Sequence, residues 1–94
     1  MMYTFTSLTQ FARDMRTRES KTLLGVKEAL VAFLALVADP HGFSFFREEQ
    51  ICEILNVGKQ ELHAARSHLQ ATKIIIFVPR SSLAPFGYYR LRKY

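Results

Sequence analysis

Cys52 and the three histidines, His41, His63 and His68, are the side chains of this 94-residue chain best suited to ligate a metal or attack a substrate. Their spacing argues against both. His63 and His68 lie five positions apart in a helical pattern and so point in different directions, whereas a zinc-binding pair must share one face. His41 is distant, in a loop. A nucleophilic thiol needs exposure and a partner that lowers its pKa, but Cys52 is flanked by the inward positions Ile51 and Leu55 and reads as packing. The chain has no glycine-rich phosphate loop, no paired carboxylates at catalytic spacing and no Ser/His/Asp arrangement. The expectation is a protein with no cofactor and no metal that is not an enzyme.

What the chain does carry is cationic charge, unevenly placed. Thirteen Lys and Arg against eight Asp and Glu give +5, and the isoelectric point is near 9.7. Such a balance favours a polyanionic partner. Lys73, Arg80, Arg90, Arg92 and Lys93 fall in a C-terminal stretch without a single acid, whereas Glu48, Glu49 and Glu53 surround Arg47. A 49% apolar content fills one small core without staples. The lone cysteine suits a reducing, cytoplasmic setting. Ala29 to Ala38 is the longest apolar run, and its ten residues are half a membrane span, so no membrane association is expected.

Elements that could position these residues follow from periodicity. Leu8, Phe11, Ala12 and Met15 recur at helical spacing, with Ser7 as N-cap and Phe5 nearby, which predicts a short amphipathic helix within an N-terminal unit, residues 1–21. Residues 22–94 form the main domain. A central helix from Thr22 to Ala38, apolar on most sides, stops at Asp39-Pro40-His41-Gly42. Phe43-Ser44-Phe45 alternates as a short strand would. Two further helices, Phe46 to Leu55 and Gly58 to Thr72, precede two strands, Ile74 to Val78 and Tyr88 to Arg92, joined by a loop at 79–87. The class is mainly α with a small β-hairpin, α+β.

At Asn56-Val57-Gly58 the helix pair turns. Close crossing of two helices wants a small residue on the first, a turn residue tolerant of left-handed backbone, and an apolar residue returning from the second. Cys52, Asn56 and Leu62 meet those needs, while Ile51, Leu55, Val57 and Ala65 fill the other inward positions. From about residue 24 to 92 this pattern resembles the winged helix-turn-helix DNA-binding domains, here with an extra N-terminal helix. More narrowly, the Asp39-x-x-Gly42 loop after the first core helix is similar to that of winged helices in phage and plasmid replication proteins and small regulators. Three positions depart from the pattern: Gly58 where Ser or Thr would cap, Arg66 where Leu or Ile would be buried, and Glu61 in the first turn of the reading helix.

The resemblance implies double-stranded DNA as partner. Lys59, Gln60, His63, Ala64 and Ser67 would read base edges, and Arg80, Arg90 and Arg92 would grip backbone or minor groove. Phe5, Leu8, Phe11 and Met15 would pair two copies into a homodimer. A transcriptional regulator is the leading expectation, with a replication-initiation accessory as a narrower form. The rival is a protein-docking module that uses the N-terminal apolar stripe or the aromatics Phe86, Tyr88 and Tyr89.

Overall fold

Leu23–Val37 is apolar around most of its circumference, and in the computed structural model it is the helix on which the other elements close. The structure describes residues 5–17, 23–80, 82 and 84–92, without side-chain placement at 5–8, 16–17 and 23–24. In chain order the elements are α1 (Phe5–Thr17), α2 (Leu23–Val37), β1 (Phe43–Ser44), α3 (Glu48–Leu55), α4 (Lys59–Ala71), β2 (Ile75–Val78) and β3 (Tyr88–Leu91). Leu30, Phe33 and Leu34 of α2 meet Ile51 and Leu55 of α3, Leu62 and Leu69 of α4, and Ile75, Tyr89 and Leu91 of the sheet in one core. No helix among the described residues is long and apolar enough to cross a membrane.

The two hairpin strands and the short strand after α2 make one three-stranded sheet. β3 lies in the middle, antiparallel to both β1 and β2, in the order β1-β3-β2. The short strand expected at Phe43 is real but ends at Ser44, and it pairs Phe43 with Arg90 and Ser44 with Tyr89. The loop before it explains how two residues can hold that place. After α2 ends, the Asp39 carboxylate accepts the backbone N–H groups of His41 and Phe43, each at 2.9 Å. The Phe43 bond is the chief reason that the Asp39 carboxyl is held below its ordinary pKa. Gly42, at φ 87°, then turns its carbonyl onto the Leu91 N–H at 3.0 Å. Side-chain bonds from Asp and positive φ at Gly are what such a turn requires.

Two expectations about the N-terminus change. Ser7 lies inside α1, which already begins at Phe5, and so is not its cap. Met15 is 8% exposed in the common core, and Phe11 packs on Phe33 with ring centroids 6.1 Å apart. These two members of the expected pairing stripe therefore belong to the chain's own core, because α2 needs cover on the side that the sheet and α4 leave open. α1 lies against both α2 and α3, so it shares their core and is not a separate unit. The side chains of Phe5 and Leu8 lie outside the described residues.

Between α3 and α4 the turn forms as expected. Asn56 adopts φ 57° and ψ 49°, the left-handed region, and the Val57 N–H closes on the Cys52 carbonyl at 3.1 Å. Neither helix starts on a conventional cap. Instead Gln50 Oε1 accepts the Arg47 N–H at 2.9 Å, and Glu61 Oε1 accepts the Gly58 N–H at 3.0 Å. A Cβ at Gly58 would stand 2.8 Å from that Glu61 oxygen. Gly58 is thus a position that gives Glu61 room, and Glu61 supplies the capping bond that glycine lacks.

Cys52 is only half-buried, while Ala65 on α4 has no exposed surface. The tight small-residue position is therefore Ala65. Ala65→Leu is expected to overpack the core and destabilise by about 1–3 kcal/mol, and Cys52→Leu by clearly less. Urea midpoints of both variants check this; an equal or reversed order would mean that α4 does not pack as described.

Candidate nucleic-acid interface

Leu62, Ala65 and Leu69 bury one side of α4, which leaves Lys59, Gln60, Ala64 and Ser67 exposed along the opposite side. The helical period alone sorts them this way. His63 lies on the same outward strip but is not free. Its Nε2 is 2.7 Å from Glu48 Oε2 at the start of α3. With the carboxylate as acceptor, that nitrogen carries the hydrogen. Glu61, which would repel phosphate if it pointed outward, has its carboxylate turned back on Gly58.

Arg66 is the departure that the structure explains best. Its side chain is 13% exposed and its Nη1 donates both to Glu48 Oε2 at 3.3 Å and to the Tyr89 hydroxyl at 3.1 Å. The guanidinium also lies over the Phe77 ring, 4.0 Å from its centroid, and Phe77 stacks on Tyr89 at 4.7 Å. An apolar residue here would cover Phe77 and nothing more. Arginine covers it with a flat face and still reaches a carboxylate and a phenol. Burial pushes the Tyr89 phenol up, although the Arg66 bond works the other way. Glu48 moves down, chiefly through the His63 bond and also through Arg66. Tyr89, 2% exposed, is therefore an interior residue and not a docking ring. Cys52, nearby on α3, has its thiol pushed up by burial first and then by the charge of Glu48, which favours the protonated form.

The hairpin supplies the cations. Arg80, Arg90 and Arg92 are all exposed. Gly87, at φ 85°, closes the 79–87 loop where any Cβ would run into the Val78 and Pro79 carbonyl oxygens. β3 alternates, with Tyr89 and Leu91 inward and Tyr88 and Arg90 outward. Arg90 extends over the Phe43 ring at 5.0 Å, and Arg47, ahead of α3, over Phe86 at 5.2 Å. Arg47, Phe43 and Phe45 were not among the residues expected to matter. The alternation in Phe43-Ser44-Phe45, which sets 43 and 45 on one face, was the signal that could have found the two rings. Among the described residues, no three His, Cys, Asp or Glu side chains gather as a metal site would need.

Comparison with protein-family models, with curated proteins and with solved structures finds no match for this chain.

The Glu48 carboxyl is held below its ordinary value of 4.5 by His63 and Arg66. A depressed folded-state pKa contributes stability that is fully present above the unfolded value and lost as the pH falls through the folded one. The Tm gap between the wild type and Glu48→Gln should therefore be widest near neutral pH and narrow as the pH drops below 4.5. Thermal melts across that range check it, and a gap that stays constant into acid would show that the carboxylate is not paired in solution.

Proposed function

We propose that the chain is a winged helix-turn-helix protein that binds double-stranded DNA, with α4 in the major groove and the β2–β3 loop on the adjacent backbone. The reading rests on one observation. A helix pair with a left-handed Asn56 turn and a β1-β3-β2 sheet leaves Lys59, Gln60, Ala64 and Ser67 as an exposed strip beside a hairpin whose charges are all positive. Gln60 is suited to adenine, Lys59 to guanine or phosphate, and Ala64 to a thymine methyl. His63 serves α3 before it serves DNA. A regulatory role is the form we favour; an origin-binding accessory of replication would use the same surface. Two copies on one operator would set two α4 helices a helical turn of DNA apart.

Gln60→Ala and Arg80→Ala should fail differently. The first should lose about 1–3 kcal/mol on a preferred duplex, selected from a random library, and much less on random duplex. The second should weaken both alike and make the salt dependence shallower by about one unit of slope, since a phosphate contact releases a counterion and carries no sequence information. Titrations at several salt concentrations, with circular dichroism for folding, give both outcomes. Absence of duplex binding tighter than micromolar at low salt would remove the reading in favour of protein docking.

A further inference from the structure

The largest exposed apolar side chains on the sheet side are Phe45, 58% exposed, and Phe86, 67% exposed. Phe45 is not isolated. Phe43 lies nearly parallel to Phe45, with centroids 6.3 Å apart and planes at 13°, and both rings approach Tyr88, at 5.5 and 6.1 Å. One guanidinium lies against this group, Arg90 on Phe43, and a second, Arg47, lies over Phe86 in the loop that leads into β3. Neither guanidinium pairs with a carboxylate among the described residues. Of the acids nearby, Asp39 holds backbone N–H groups of its own loop and Glu48 holds His63 and Arg66, whereas Glu49 stands exposed in the first turn of α3. From Lys73 to Arg92 the sequence has no acid at all.

The outward sheet face and the loop that leads into β3 thus combine flat apolar rings with arginines that no carboxylate pairs among the described residues. A peptide of acids alone would satisfy the arginines but would bring no ring to cover the aromatics. A duplex would bring phosphates, but its base faces are covered by one another. An unpaired strand offers both open base faces and phosphates, and stacking on aromatic side chains within a basic surface is how such strands are held without regard to sequence. We propose that this face is a platform for single-stranded nucleic acid, with bases stacking on Phe45, Phe86 and Tyr88 and phosphates meeting Arg47 and Arg90. It uses other residues than the α4 strip, and shares Arg90 and, through Phe86, the β2–β3 loop with the duplex surface proposed above.

The test is fluorescence anisotropy of the full chain with a labelled oligo-dT of about 15 nucleotides, set beside a labelled duplex and a polyglutamate peptide. Phe45→Ala/Phe86→Ala should weaken oligo-dT binding about tenfold or more. Phe45→Leu/Phe86→Leu, which keeps apolar bulk and helps to preserve the fold, should weaken it too, because a leucine has no face on which a base can stack. Gln60→Ala should leave it within about twofold, since that side chain lies on α4. Oligo-dT binding with this pattern supports the platform even where the duplex is not bound, an outcome that would sink only the reading of α4. No oligo-dT binding at low salt, or binding indifferent to both double variants, overturns it. Polyglutamate binding of equal strength and equal dependence on the two rings also overturns it and assigns the face to an acidic protein.

Discussion

The arrangement of α3, α4 and the sheet depends on the Arg66 guanidinium. A cation that is 13% exposed would be costly were it not matched on every side, and here its partners come from three other elements: Glu48 of α3, Phe77 of β2 and Tyr89 of β3. A cation over a ring contributes roughly 0.5–2 kcal/mol, more as water is excluded. Each added hydrogen bond to a charged group contributes on the order of 1.5–3 kcal/mol. The desolvation of the charge offsets much of this. What survives is geometric: a planar fork with fixed donor directions holds α4 at one angle to the hairpin, which an aliphatic residue filling the same volume would not.

The remainder of the scaffold achieves the same end by local bonds. The Asp39 loop fixes where β1 begins, and Gly42 attaches that loop to β3 through Leu91. Asn56 reverses the chain within one residue. Gln50 and Glu61 cap their own helices from the third helical position, which leaves Arg47 free to lie on Phe86 and Gly58 free of side-chain bulk. Each device consumes a polar group that would otherwise face solvent or a partner. The acids among them, Asp39, Glu48 and Glu61, are all held within the fold, and the hairpin, which has no acid of its own, keeps its arginines out of any ion pair among the described residues.

Much of this was legible from residue types and spacing. Periodicity located α2, α3, α4 and both hairpin strands to within about two residues, and α1 with its start three residues late, because a helix or strand that buries one face must repeat its apolar residues at its own period. Asn56 as the left-handed turn and Gly42 after Asp39 were legible for a local reason: few residues tolerate those backbone angles. The outward strip of α4 followed from the same period that buried Leu62, Ala65 and Leu69.

The sequence by itself therefore determined the elements, the turns and the inward and outward faces, all of which depend on neighbours a few positions apart. Only the tertiary structure decided which outward or polar residues are already taken. His63 and Arg66 meet Glu48 across 15 and 18 positions, and Arg66 meets Tyr89 across 23. It also drew Met15 and Phe11 into the core, where local pattern made them a stripe open to a partner. Finally, it brought Phe43 and Phe45 against Tyr88, and Arg47 against Phe86. Such pairings are set by how whole elements pack, and no periodicity within one element encodes the distance to a side chain on another.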